Sequence, residues 1–220
     1  MKTSIRTLSC LFTFIVSVAA ADRVPKEMRP KLLREGKVLV QDSFDAKELD
    51  KKWTTPRGED AGKVTIENGR AIISSGAGTQ GVILQRLEPG VTDASIQLLM
   101  KPTACKWMGV RFTSTDETGE RKHRWSIATI IYESGMVRAV TPDGDEANLK
   151  VLKAAKTNIK KDEWWRVSVE SKGGRYFIRV NGEDMIDIKA PETEGRKYAV
   201  LVNLYGGKGE IDDVKVMAGN

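Results

Sequence analysis

Five residues in the middle of the chain have side chains suited to a hydroxyl-rich ligand: Trp107, Arg111, His123, Trp125 and Glu133. Indole faces stack on the apolar C–H faces of a sugar ring, while guanidinium, imidazole and carboxylate groups exchange hydrogen bonds with its hydroxyls. The other reading of Trp107 or Trp125 alone is an ordinary core aromatic. Four acids, Asp42, Asp45, Asp212 and Asp213, form a second group. Hard oxygen ligands in that number suit a structural Ca2+, and the alternative is that these acids occupy turns and bulges at a sheet edge. Glu210 and Asp212 are alternate residues, which on a strand share one face at about the 5 Å separation used by paired carboxyls in retaining glycoside hydrolysis.

Scarcity removes other chemistries. His123 is the single histidine, so a general base built on it needs a carboxylate partner, and Glu133 is the one in plausible reach. With one imidazole and two cysteines, Cys10 and Cys105, the usual zinc ligand sets cannot be assembled. Cys105 reads as a buried, inert thiol inside a strand, with a reactive nucleophile as the alternative. The series Lys150, Lys153, Lys156, Lys160 and Lys161 would draw an anionic polysaccharide, or simply solvate an edge.

The N-terminus has the order of a secretory signal. Lys2 and Arg6 precede an uncharged apolar run over 8–21, and Ala19 and Ala21 stand where a signal peptidase reads. That run is too short to cross a bilayer, which takes about 20 residues. Residues 1–21 are therefore expected to be a cleaved signal peptide, placing the mature protein outside the cytoplasm, secreted or periplasmic. Removal leaves 199 residues, and the net charge of +6 falls to +4. A mildly basic balance with interspersed acids does not single out nucleic acid as a partner. No later segment reads as a membrane span, and Cys105 is left alone, so no intrachain disulfide is expected.

Residues 22–36, with two prolines and no period, read as an extended leader, and residues 37–218 as one domain. In that domain short Val-, Ile- and aromatic-rich runs alternate with Gly, Asn and Asp, the pattern of many antiparallel strands. Asn68-Gly69 and Asn181-Gly182 are hairpin signals, because both residue types tolerate positive φ. Met108, Val110 and Phe112 share one face of their strand, which sends Trp107 and Arg111 to the other. Tyr198, Val200, Val202 and Leu204 mark one more strand. Residues 145–161 fit either a helix, with Leu149, Leu152 and Ile159 on one side, or a strand followed by a loop. Trp53, Trp164 and Trp165 read as core or edge residues. Near the end, Ile211 and Val214 both belong in the core at an odd spacing, which strict alternation forbids and a β-bulge at Asp212-Asp213 permits. The fold class expected is an all-β antiparallel sandwich.

The order of motifs resembles a known superfold. Asp42-Ser43-Phe44 followed by Leu49 and Trp53 is similar to the opening strand of concanavalin A-like domains in secreted bacterial proteins. The stretch Glu163-Trp164-Trp165-Arg166-Val167-Ser168-Val169, the Gly-rich turn after it, and the closing Gly209-Glu210-Ile211-Asp212-Asp213-Val214 resemble strands of the same domains. The similarity covers residues 38–217 and extends to laminin G-like modules and, more loosely, to the 3-keto-disaccharide hydrolase (family-16-like) domain. It implies a jelly-roll sandwich, which does not by itself determine function. The laminarinase-type signature would need a Glu soon after Asp212, and this chain offers Asp213, Val214 and Lys215 instead. The expectation is thus a secreted, non-catalytic carbohydrate-binding or adhesion-type sandwich with an oligo- or polysaccharide partner. The alternatives are a glycoside hydrolase and a protein-interaction domain of laminin G type.

Overall fold

The computed structural model describes residues 24–25, 27–55, 62–76, 80–114, 124–143 and 145–219. Residues 1–21, expected to be a signal segment, lie outside the described residues. Fifteen strands run in chain order: β1 (Gly36–Asp42), β2 (Trp53–Thr54), β3 (Lys63–Ile66), β4 (Ala71–Ser74), β5 (Gln80–Val91), β6 (Ala94–Pro102), β7 (Trp107–Ser114), β8 (Arg124–Tyr132), β9 (Met136–Asp143), β10 (Asp145–Lys156), β11 (Trp165–Lys172), β12 (Arg175–Val180), β13 (Glu183–Lys189), β14 (Lys197–Tyr205) and β15 (Lys208–Gly219). The stretch open to two readings is a strand, β10, at the edge of its sheet. No helix among the described residues is long and apolar enough to cross a membrane.

The strands form two antiparallel sheets. One has eight strands in the order β13-β12-β11-β6-β15-β4-β3, with β1 beside β15, and the other has seven in the order β10-β9-β8-β7-β14-β5-β2. Their inner faces interdigitate as alternation requires. Ile96, Leu98 and Met100 of β6 and Trp165, Val167 and Val169 of β11 meet Met108, Val110 and Phe112 of β7 and Val200, Val202 and Leu204 of β14, each with at most 1% of its surface exposed. At about 1.5–3 kcal/mol per fully buried large apolar side chain, this shared layer is the main stabilising term. One polar link crosses it: the hydroxyls of Thr129 on β8 and Tyr176 on β12 lie 2.8 Å apart, so neither is buried unpaired. Cys105 is buried, but in the loop between β6 and β7 rather than inside a strand as expected, and burial pushes its thiol up to about 11.

The turns follow the residues. Asn68 and Gly69 have φ of 53° and 70°, and reciprocal Glu67–Arg70 backbone bonds of 3.0 and 3.2 Å close a two-residue hairpin between β3 and β4. On β15, Asp212 faces Leu99 whereas Lys215 faces Gln97, so three steps on one strand match two on the other. The extra residue, Asp213, has φ 46°, and Ile211 and Val214 are both fully buried. The bulge expected from their odd spacing is present. The strand expected over Tyr198–Leu204 is β14, and a second irregularity, between Lys197 and Ala199, breaks its alternation at Tyr198. Tyr198 is 39% exposed, and Lys197 turns inward instead. Its ammonium donates to the carbonyls of Thr193 at 2.7 Å, Gly195 at 3.2 Å and Thr92. Burial pushes the Lys197 amine down to about 8, against the pull of the Asp93 carboxylate.

The leader is extended but not a free linker. It lies as a strap across the outer face of the eight-stranded sheet, with Met28 and Leu33 buried. Gln97 on β6 bonds both the N–H and the C=O of Met28. On β11, the carboxylate of Glu170 accepts the backbone N–H groups of Lys31, Leu32 and Leu33 at 2.9, 2.7 and 3.1 Å. Arg166 and Arg179 donate to the carbonyls of Pro25 and Arg29 at 3.1 and 2.6 Å.

Candidate functional site

Trp107 and Arg111 stand on the outer face of the seven-stranded sheet, as the alternation of β7 requires, and both are half-buried. Register brings other residues to them. Trp107 lies opposite Tyr132 of β8 on one side and Tyr205 of β14 on the other, and Tyr205 lies opposite Gln80 of β5. A row Tyr132–Trp107–Tyr205–Gln80 therefore crosses four strands. The Trp107 and Tyr205 rings are stacked, with centroids 5.9 Å apart and planes 7° from parallel. Opposed residues on antiparallel strands approach closely enough for such contacts. Arg138 on β9 covers the Tyr132 ring at 4.9 Å and Lys106 covers Tyr205 at 5.8 Å.

The row behind is Arg138–Ile130–Gly109–Asn203, and behind that Val140–Ala128–Arg111–Leu201. Gly109 keeps the middle low: a Cβ there would meet the Thr129 carbonyl at 2.7 Å, and the Trp107 indole and Asn203 amide close over the position. Arg111 donates to Gln80 Oε1 at 2.8 Å. With its amide oriented to satisfy both ends, buried Asn203 accepts from Arg111 at 2.8 Å and donates to the Gly109 carbonyl at 3.3 Å. The face thus combines an aromatic shelf with a fixed set of donors and acceptors. Ile130, Ala128 and Val140 pack beneath Trp107 and Tyr132 and hold the shelf rigid.

The remaining expected residues divide. His123 lies outside the described residues. Trp125 is in β8, opposite Thr113, and its side chain is likewise outside the description. Glu133 follows Tyr132 in the exposed turn to β9, where its carboxylate is 3.4 Å from Lys161. Tyr132, Tyr205, Arg138, Asn203 and Gln80 were not expected from the sequence. Tyr205 carried a usable signal, since it follows Leu204 and so takes the outward side of β14.

The four acids sit around the strands that open and close the domain. Asp42 accepts from the Phe44 N–H at 2.9 Å and the Trp53 indole at 2.7 Å, and it pairs with Lys52 at 3.2 Å. Asp45 accepts from the Ser43 hydroxyl, Asp212 from the Asp213 N–H, and Asp213 from Arg166 at 2.6 Å. Among the described residues no three His, Cys, Asp or Glu side chains gather as a metal-binding group. Burial, together with the carboxylates of Asp213 and Asp45, raises the Asp212 carboxyl against the Asp213 N–H and Arg70. The folded state then holds its proton to higher pH than the unfolded chain, so this group costs stability as pH rises above the ordinary carboxylate range. Asp212→Asn is expected to raise the melting temperature at pH 7 by about 1–3 °C, with the gain shrinking at pH 4. A fall at pH 7 would mean the ionised form is needed.

Glu210 and Asp212 do share one face of β15, but it is the outer face of the eight-stranded sheet, across the sandwich from Trp107. Glu210 is tied to Arg70 at 3.2 Å and Lys101 at 3.4 Å. The same two cations cover Trp164 at 5.1 and 5.9 Å, which makes Trp164 an outer-face residue, whereas Trp53 and Trp165 are core.

No family model and no curated protein matches the sequence. Solved structures do match the fold. The carbohydrate-binding module CBM66 from Bacillus subtilis superposes with a TM-score of 0.59 at 14% identity, covering 76% of this chain and 96% of that one. The Emp47p carbohydrate recognition domain gives 0.59 at 10% identity, over 81% and 94%. SCLam, a non-specific endo-β-1,3(4)-glucanase of family GH16, gives 0.63 at 13%, over 91% and 98%. The chain has the concanavalin A-like jelly-roll sandwich fold that the motif order resembled.

Proposed function

We propose that the protein is a non-catalytic carbohydrate-binding sandwich whose ligand lies on the outer face of the seven-stranded sheet. The observation that carries this reading is the in-register row Tyr132–Trp107–Tyr205, with the Arg111–Gln80–Asn203 group beside it. A pyranose ring stacks on the Trp107–Tyr205 shelf, and its hydroxyls exchange hydrogen bonds with Arg111 and Gln80. Of the similar structures named above, two are a carbohydrate-binding module and a carbohydrate recognition domain and the third is an endo-glucanase, so the fold is compatible with either use. Binding without turnover is favoured because the described part of this face holds no pair of carboxylates, the minimum for the hydrolytic mechanism.

The test is a glycan array on the mature protein, followed by calorimetry on the best ligand. Trp107→Ala is expected to weaken binding several-fold, up to about tenfold, in line with loss of one stacking contact, while the melting temperature moves little. A loss of stability of about 3–5 kcal/mol instead would make Trp107 a structural residue and sink the proposal. A second reading, hydrolysis, is supported by the shared face of Glu210 and Asp212 and by the raised Asp212 carboxyl. Release of reducing ends from a β-glucan by the wild type, abolished in Glu210→Gln, would favour it. Silence in both assays would favour a protein-interaction module.

A further inference from the structure

At the opposite edge of the sandwich, a groove of about 510 Å³ opens between β1 and the paired strands β2 and β5. That volume is in the range of small-molecule sites, about 300–1,000 Å³. Its wall on one side is the β1 segment Lys37–Val40, where the ladder to β15 slips at Leu39. Four basic residues line it, Lys37, Lys51, Lys52 and Arg86, against one acid, Glu88. Lys52 is paired with Asp42 and Asp50, and Arg86 lies 4.0 Å from Glu88, but among the described residues Lys37 and Lys51 pair with no carboxylate. The groove therefore has uncompensated positive charge at its mouth.

Gln85 supplies the second observation. It lines the groove with 7% of its surface exposed, and its Nε2 donates to the Arg86 carbonyl at 2.8 Å. Its Oε1 is buried with no hydrogen-bond partner. Buried polar atoms are as a rule satisfied, and this unpartnered acceptor on a groove-lining side chain is one that a ligand hydroxyl would satisfy on a small turn of the amide toward the groove. The lysines ask for an anion and Gln85 asks for a hydroxyl, and a uronic acid presents both on one ring.

We propose that this groove is a second site, separate from the aromatic shelf, that takes an acidic sugar unit: the carboxylate at Lys37 and Lys51, a ring hydroxyl donating to Gln85 Oε1. It stands whether or not the shelf binds glycans, since it shares no residue with it.

The test is amide-resolved NMR titration of the mature protein with sodium glucuronate, glucose and acetate in parallel. The expected result is a saturable shift of the Gln85 side-chain amide and the Val38–Val40 backbone with glucuronate, at millimolar affinity. Glucose and acetate, each with half of the required chemistry, are expected to bind at least about tenfold more weakly. Gln85→Met, which keeps the packing against its neighbours, is expected to weaken glucuronate about fivefold. The exposed double change Lys37→Gln with Lys51→Gln should do the same without touching the core. Trp107→Ala should leave the titration unchanged, which separates this site from the shelf. No shift at Gln85 up to about 50 mM glucuronate would overturn the proposal. So would acetate binding as tightly as glucuronate, or an unaltered affinity in Gln85→Met.

Discussion

Deleting Asp213 is expected to abolish cooperative folding, whereas Asp213→Gly should cost only about 1–3 kcal/mol. The contrast follows from the bulge. Asp213 is the extra residue that lets Ile211 and Val214 both point inward, and Val216 and Ala218 follow in the same phase. Without it, everything beyond Asp212 turns over, because the side-chain period of a strand is two. Val214 and Val216 would face water, losing about 1.5–3 kcal/mol each, and Lys215 would face the core. The ladder to β1, which pairs Asp42 with Val214 and Gln41 with Lys215, would slip with it. Those losses match the whole stability of an ordinary domain, about 5–15 kcal/mol. Glycine, by contrast, adopts the φ of 46° freely and gives up only the ion pair to Arg166. A cooperative chemical denaturation curve for the deletion, within about 2 kcal/mol of wild type, would show that the strand end re-registers without harm.

That bulge was legible because its signal is local: two apolar residues at the wrong parity within a few positions. The same holds for the Asn68-Gly69 hairpin and for the division of β7 into an inward Met108–Val110–Phe112 face and an outward Trp107–Arg111 face. Local pattern does not encode which strand lies beside which. The companions of Trp107 come from β8 and β14, and only sheet order and register put Tyr132 and Tyr205 on either side of it. The Lys197–Ala199 irregularity was missed for a related reason. A buried lysine gives no sequence signal until its three carbonyl acceptors, which come from the segments before β6 and β14, are assembled around it. The Glu210–Asp212 pair shows the converse. Its spacing was read correctly, but which side of the sandwich it faces depends on topology.

The strap is the clearest illegible element, and it carries the largest test of the eight-stranded face. Its prolines and charges read as a linker because its partners are 69 to 188 residues away. Glu170→Ala is expected to destabilise the protein by about 3–5 kcal/mol and to release residues 27–35 from the sheet. Glu170 is fully buried on the outer side of β11, where a carboxylate would ordinarily be solvated. It is tolerated there because three successive backbone N–H groups of the strap point at it and Arg179, 7% exposed, stands 3.5 Å away. Truncation leaves those donors unpaired and the guanidinium without its counter-charge, and an orphaned buried group costs more than the lost bond itself contributed. The strap's other polar ties are Arg166 to the Pro25 carbonyl, Glu27 to Lys215, Gln97 to Met28, Arg179 to the Arg29 carbonyl and Lys31 to Asp184; all precede Leu32, so the segment around Leu33 should lift first. Limited trypsin digestion under native conditions reads this directly, through new cleavage at Lys31 or Arg34, while denaturant unfolding gives the stability. Glu170→Gln keeps an acceptor but not the charge and should fall between the two. If Glu170→Ala remained as resistant to trypsin as wild type and lost less than about 1 kcal/mol, the strap would be held by its apolar anchors Met28 and Leu33 rather than by the carboxylate.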